Sequence, residues 1–173
     1  MIGPTFLAER WPRLQPWLSL LVRLGLAVVA GKAAWPKLAD LRGSRQSVAA
    51  YQLFPAGIEQ LIGVGLPVVE LALCVLLAAG LLTRYASIVF GVMLVAFIAG
   101  IASAWARGLN IDCGCFAVGG ELSAGETPAY FEDILRDLGY MAMTAFVAVW
   151  PRSALSLDKA LGLEPARREQ KTK

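Results

Sequence analysis

The chain has 173 residues, of which 57% are hydrophobic and 17% charged, with a formal net charge of +3. Soluble domains average about 45–50% apolar and about 25% charged residues, so this composition indicates a membrane protein with several spans. No basic patch interleaved with aromatic residues occurs, which argues against nucleic acid as a partner. Histidine is absent, so the commonest general base and most zinc-site designs are excluded, and no metal is expected.

Four apolar segments predict an all-α fold, an integral membrane four-helix bundle within residues 16–151. Each segment has about 20 residues, enough to cross about 30 Å of hydrocarbon. Pro36 and Lys37 are expected to end the first span, and Thr127 with Pro128 to begin the fourth. A tight turn with Gly80 is expected between the second and third. The predicted spans are residues 16–36, 61–82, 85–106 and 128–150.

The segments outside the spans are more polar. Residues 38–60 mix apolar and charged side chains, which predicts an interfacial amphipathic helix that ends at Pro55. Residues 1–15 are interrupted by Pro4 and Pro12 and are predicted as a polar N-terminal segment, with no removable signal peptide. Residues 152–173 are predicted as a charged tail that frays.

Basic residues predict the orientation of the chain, because they are enriched on the cytoplasmic side of membrane proteins. With four spans, both termini and the turn after the second span share one side, and this side is the more basic. We therefore expect a multi-pass protein of the cytoplasmic membrane, with both termini cytoplasmic and the loop after the third span outside. The basic residues on the cytoplasmic side are Arg10, Arg13, Arg84, Arg152, Lys159, Arg167, Arg168, Lys171 and Lys173; those on the other side are mainly Lys37, Arg42, Arg45 and Arg107.

The loop after the third span contains Cys113 and Cys115, separated only by Gly114. Two neighbouring thiols can form and break a disulfide, and a bond with a one-residue spacer is strained, which favours oxidation of a partner. Asp112 is expected to raise the thiol pKa values. The same residues also fit two other readings: a structural disulfide, or binding of copper(I) by two thiolates.

Glu70 is a carboxylate near the middle of the second predicted span, where a charge requires a partner or a cavity. Arg23 and Lys32 of the first span are its candidate partners, and Lys37 lies nearer the outer boundary. The set could fix helix packing, or it could handle protons and charge beside a cofactor. Cys74, four residues after Glu70 on the same helix face, is either a small buried apolar side chain or a third thiol.

Trp105, Phe116 and Tyr130 flank the two cysteines in the sequence. Their rings are candidate contacts for a quinone. The alternative is that they belong to the belt of aromatic residues found where lipid meets water.

The order of several motifs resembles the DoxX-like superfamily of four-helix membrane proteins. Within it, the chain is most similar to the branch of the methylamine-utilisation protein MauE, in its actinobacterial form. The resemblance covers residues 17–150. The motifs are Arg23 in the first span, Gly31, Lys37-Leu-Ala-Asp40, Ala50-Tyr-Gln-Leu-Phe-Pro55, Leu66-Pro-Val-Val-Glu70, Gly80 with Thr83-Arg84, and Asn110-Ile-Asp-Cys-Gly-Cys-Phe116.

The resemblance implies a link to thiol redox chemistry, with Cys113 and Cys115 as the redox pair and Arg23, Lys37 and Glu70 as polar groups in the membrane. It also implies an exported thioredoxin-fold partner and a quinone acceptor, menaquinone or ubiquinone. The resulting hypothesis is a membrane thiol-disulfide oxidoreductase. The alternatives are an assembly or scaffold subunit with a structural disulfide, and a membrane protein that handles copper(I) or a small molecule.

Overall fold

The computed structural model describes residues 4–123 and 125–162, and the side chains of residues 14–55, 57–123 and 125–162 within them. The fold is all helical, and no β-strand occurs in these ranges. Three helical stretches are long and apolar enough to cross a membrane: Leu14–Ala39, Gly57–Ala79 and Thr83–Ala106. The helices are α1 (Pro4–Ala39), α2 (Leu41–Ala50), α3 (Ala56–Ala79), α4 (Thr83–Ala106), α5 (Tyr130–Val149) and α6 (Leu157–Ala160).

Helix α1 is longer than the first predicted span at both ends. The prediction that Pro4 and Pro12 interrupt residues 1–15 is wrong from residue 4 onward, and residues 1–3 lie outside the described chain. The prediction that Pro36 and Lys37 end the span is also wrong, because the helix continues to Ala39. Each proline removes one backbone N–H but has a φ compatible with a helix, so a long packed helix can include it.

The segment after α1 forms the short helix α2 rather than a helix that continues to Pro55. Asp40 is the N-cap of α2, and its carboxylate accepts a hydrogen bond from the Gly43 amide at 2.9 Å. The buried face consists of Gly43, Ser44 and Ser47, and the Ser44 hydroxyl donates to the Gly63 carbonyl of α3 at 2.7 Å. Small residues thus allow α2 to pack closely on α3, while its placement at a membrane surface stays a prediction.

A turn at residues 80–82 joins α3 to α4, as the glycine predicted. Gly80 has φ +68°, in the left-handed region that favours glycine.

Residues 152–162, the C-terminal segment, pack on this turn, so the prediction that they fray is wrong. The Asp158 carboxylate accepts the amides of Leu82 and Thr83 at 2.7 and 2.9 Å, and Arg23 donates to the Leu155 carbonyl at 2.7 Å. The rest of the predicted tail, residues 163–173, lies outside the described chain.

Helix α5 begins at Tyr130, so the prediction that Thr127 and Pro128 begin the fourth helix is wrong by two residues. Its first half carries Glu132, Asp133, Arg136 and Asp137, and it is not among the helices apolar enough to be identified as spans. A fourth span therefore stays a prediction. The helix packs along α4 and more lightly along α1, which in turn packs along α3.

Two apolar clusters form the interior. The larger lies where α1, α3, α4 and α5 meet, and its buried residues are Leu26, Ala27, Ala30, Leu73, Leu77, Ala86, Phe90, Leu94 and Val147. The smaller joins the end of α4, the following loop and the start of α5, with Ile101, Ala104, Ile111, Cys115 and Tyr130. Helices α3 and α4 make few contacts with each other although a short turn joins them. A gap is therefore left between them at the end that carries the cysteine loop.

Candidate functional site

The loop between α4 and α5 folds back over the bundle in its described residues, 107–123 and 125–129. An antiparallel bridge joins Ile111 to Glu121. Tyr130, at the first position of α5, donates to the Leu109 carbonyl at 2.6 Å and accepts from the Ile111 amide at 3.2 Å. Ser47 of α2 donates to the Gly119 carbonyl at 2.7 Å. The cysteine loop is thus attached to both α2 and α5.

The turn between the two cysteines depends on glycine. Gly114 has φ +64° and donates its amide to the Asp112 carboxylate at 3.1 Å. A Cβ atom on Gly119 would lie only 2.6 Å from the backbone of Gly114. Glycine at both positions therefore lets the two backbone segments approach closely and sets where the sulfurs lie.

Cys113 and Cys115 are free thiols, with Cys113 half-buried and Cys115 buried. The hydrogen bond from the Cys115 thiol lowers the pKa of Cys113, against the effect of burial. The same bond and then burial raise the pKa of Cys115. The two thiols therefore differ, because the pKa of Cys113 is lowered and that of Cys115 is raised, which favours the thiolate form at Cys113.

Arg136 of α5 adds a positive charge beside Cys113, and sequence reasoning missed it. Its Nη2 lies 3.9 Å from the Cys113 sulfur, and its guanidinium lies 4.7 Å from the centre of the Phe116 ring. Asp133 and Asp137 hold it through ion pairs of 2.6 and 3.0 Å. Its position among carboxylates in a predicted span was the available signal, because such charges mark functional sites.

The prediction that Asp112 raises the thiol pKa values is wrong for Cys113. The Asp112 side chain is exposed, and its carboxylate accepts the Gly114 amide instead of facing the sulfur. The pKa of Cys113 is lowered, first by the Cys115 thiol, with a smaller contribution from Arg136. Tyr51 also contacts this residue, donating its hydroxyl to the Cys113 carbonyl at 2.9 Å, and burial raises the pKa of that hydroxyl.

A cavity of about 570 Å³ lies in the gap between α3 and α4, with α2 along one side and the cysteine loop across its end. Most of its lining is apolar. Cys113 and Cys115 form part of its wall, so both sulfur-bearing residues border an apolar space that is lined by residues of all three membrane-length helices. Further lining residues are Tyr51, Phe54, Ile62, Leu66, Phe97 and Gly100.

Lys37, rather than Arg23 or Lys32, is the partner of Glu70. The ammonium of Lys37 donates to Glu70 Oε1 at 2.7 Å, with side-chain exposures of 4% and 1%. Lys32 is exposed. Arg23 is buried at the opposite end of the bundle, where it contacts the C-terminal segment. Sequence reasoning placed Lys37 at the boundary because it expected the helix to end there.

The three aromatic residues named as quinone contacts do not line the cavity. Trp105 is exposed and lies 6.3 Å from Tyr130, centre to centre. Phe116 packs against Tyr140 at 5.9 Å. Cys74 packs against the larger apolar cluster, next to Gly31, rather than beside the cysteine pair.

Three helices are long and apolar enough to cross a membrane, and the buried Lys37–Glu70 ion pair joins two of them. The chain is thus a helical membrane protein, and the loop after its third long helix carries two neighbouring cysteines. The model of the methylamine utilisation protein MauE family matches residues 15–151, and the chain belongs to that family. Comparison with curated proteins and with solved structures found no match.

Proposed function

We propose that this protein is a membrane thiol-disulfide oxidoreductase that passes electrons from an exported thioredoxin-fold protein to a membrane quinone. The observation that carries the proposal is the position of Cys113 and Cys115 in the wall of an apolar cavity between α3 and α4. A structural disulfide would not need such a cavity. A redox pair that reduces a lipid-soluble acceptor needs such a cavity, because the acceptor must approach the sulfurs from the bilayer.

The size and lining of the cavity support a quinone as its occupant. Small-molecule sites are mostly apolar spaces of about 300–1,000 Å³ with a few polar groups. Tyr51, Phe54 and Phe97 offer rings for the head group, and the apolar side chains of α3 and α4 suit an isoprenoid tail. These rings replace Trp105, Phe116 and Tyr130 as the expected contacts of menaquinone or ubiquinone.

The two thiols support a division of roles in exchange with the partner. Cys113 is the more exposed of the two sulfur-bearing residues. It is therefore the sulfur that a thiolate of a thioredoxin-fold protein can reach and with which it forms a mixed disulfide. In the full cycle the partner's two thiols reduce the Cys113–Cys115 disulfide by exchange. The two thiols so formed then lose two electrons and two protons, which a quinone takes up to become a hydroquinone.

The proposed topology has four spans, with α5 as the fourth, both termini cytoplasmic and the cysteine loop outside the cell membrane. The charged first half of α5 lies beside the cysteine loop, where Arg136 contacts Cys113, so its charges would lie near the surface rather than at the bilayer centre. Helix α2 would lie at the same surface.

Labelling of Cys113 in intact cells by a membrane-impermeant maleimide tests this orientation. Labelling only in permeabilised cells would reverse it.

Purified full-length protein in lipid nanodiscs tests the activity. A reduced thioredoxin-fold protein is added with a short-tailed quinone, and hydroquinone formation is followed by absorbance above the enzyme-free rate. We expect turnover in the wild type and in Cys74→Ser, and loss in Cys113→Ser and Cys115→Ser. Unchanged partner binding without turnover in any variant would favour a scaffold subunit, and stoichiometric copper on the purified protein would favour copper handling.

A further inference from the structure

The buried pair of Lys37 and Glu70 borders the same cavity as the cysteines. Lys37 is on α1 and Glu70 on α3, and the 2.7 Å ion pair between them is almost fully buried. Lys37 lines the cavity, and it is the only charged side chain among the described residues that do so. The cavity therefore has two thiols in one part of its wall and an ammonium in another.

Packing alone gives no reason for this pair. Burying two charges is costly, and apolar residues of similar size often stabilise a fold as well or better. The interface of α1 with α3 already contains buried apolar side chains such as Ala30, Leu73 and Leu77. Charged residues inside membrane spans usually face a cavity or a substrate pathway, and Lys37 does face one.

The bonding capacity of the pair is only partly used. An ammonium has three N–H donors, and within the described chain Lys37 donates only to Glu70. The second carboxylate oxygen of Glu70, Oε2, is buried without a hydrogen-bond partner. The Nζ atom of Lys37 also lies 5.7 Å from the centre of the Phe97 ring, which lines the cavity. An attraction between ammonium and ring keeps the charge at the cavity wall.

We propose that Lys37, positioned by Glu70, binds a carbonyl oxygen of the quinone and stabilises the negative charge that develops there during reduction. This proposal rests on the proposed function and deepens it by assigning the polar contact of the acceptor. An ammonium fixed before the reaction stabilises such charge strongly in an apolar site. Two S–H bonds break and one S–S bond forms, while two O–H bonds form on the acceptor. The Lys37 ammonium donates one of these two protons, and the Glu70 carboxylate remains the ion-pair partner of Lys37.

The test uses the full-length protein in nanodiscs with two separate readouts. The first is thiol-disulfide exchange with the thioredoxin-fold partner, and the second is reoxidation of the thiols by a short-tailed quinone. The variant Lys37→Met with Glu70→Met removes both charges at once, so no unpaired buried charge remains. Lys32→Met is the matched control, because Lys32 is an exposed lysine of the same helix.

We expect the double variant to keep partner exchange and to lose quinone reoxidation by about 10- to 100-fold, the loss typical of one charge-assisted hydrogen bond. The control should keep both. Reoxidation at the wild-type rate in the double variant would overturn the role of Lys37 and leave the proposed function intact. Absence of reoxidation in the wild type would overturn the proposed function itself.

A measurement on the wild type decides the question even if the double variant does not fold. Infrared difference spectra of the bound quinone, with each carbonyl carbon isotopically labelled in turn, report the hydrogen bonding of each oxygen. One carbonyl band shifted to lower frequency than in apolar solvent is expected. Two bands at the apolar-solvent position would show that no ammonium contacts the quinone, and would overturn the proposal.

Discussion

Arg136 Nη2 lies 3.9 Å from the sulfur of Cys113, although the two residues are 23 positions apart. The charge comes from α5, whereas the sulfur belongs to the loop that precedes it. The carboxylates of Asp133 and Asp137 hold the guanidinium on one side, and the Phe116 ring lies against it. Tertiary packing thus places a positive charge beside the sulfur.

Replacing Arg136 with Gln should raise the pKa of Cys113. The guanidinium donates to the sulfur and favours the thiolate, so its loss disfavours the charged form and moves the alkylation curve to higher pH. The other groups that face this sulfur, Cys115 and Asp133, remain in place. The rate of iodoacetamide labelling as a function of pH, in a Cys74→Ser background, measures the shift.

The control for this experiment is Arg84→Gln, which removes the same charge from an exposed position on α4. Its labelling curve should coincide with that of the wild type. Arg136→Lys should lie between the wild type and Arg136→Gln, because it keeps the charge and loses the planar geometry. If the labelling curve of Arg136→Gln had its midpoint at the same pH as the wild type or at a lower pH, the assigned role of Arg136 would be contradicted.

Replacing Lys37 with Gln should strongly destabilise the fold, because it leaves Glu70 as an uncompensated buried carboxylate. Breaking one partner of a buried pair costs about 3–5 kcal/mol. Lys32→Gln, at an exposed position of the same helix, should change stability by less than about 0.5 kcal/mol. Thermal unfolding in nanodiscs compares the two, and equal midpoints would show that the pair does not stabilise the contact between α1 and α3.

Replacing Gly119 with Ala should disturb the cysteine loop. The added Cβ would lie 2.6 Å from Gly114, and such overpacking costs about 1–3 kcal/mol. Gly139→Ala is the matched control, since a Cβ at this helical position meets no atom within 4 Å and alanine favours a helix by up to about 1 kcal/mol. Unfolding midpoints and Cys113 labelling rates report the difference. A Gly119→Ala protein that labels and unfolds like the wild type would refute the close approach.

Replacing Asp158 with Ala should weaken the start of α4. The carboxylate accepts the amides of Leu82 and Thr83, and loss of a helix cap costs about 0.5–2 kcal/mol. Lys159→Ala, at the exposed neighbouring position, should have little effect. Hydrogen exchange at the amides of residues 82 and 83 measures the change directly. Protection equal to that of the wild type would mean that the cap is dispensable.

Much of the fold follows from local pattern. The apolar segments and Gly80 predicted α3, α4 and the turn between them, because apolar runs of membrane length and a left-handed glycine are local signals. The first helix was predicted too short, because its prolines were read as breaks although the packed helix includes them. Docking of the C-terminal segment was missed, since it depends on Asp158 contacting amides far away in the sequence.

The candidate site was predicted in part. Cys113 and Cys115 were named as candidates from their spacing, and Glu70 from its place in an apolar span. The partner of Glu70 was assigned to Arg23 or Lys32, because the choice depends on where α1 ends. The cavity could not be predicted, because it results from the loose packing of α3 against α4 and the position of α2.

The carboxylate that caps α4 also sets an order of assembly. Asp158 follows Thr83 by 75 residues, so the hairpin of α3 and α4 is synthesised and inserted well before its cap is available. Until then, the two amides at its turn must bond to water or lipid head groups. We therefore expect this corner of the protein to be completed late, after the hairpin has been synthesised, and C-terminal truncations before residue 158 should yield chains that are inserted but more readily degraded.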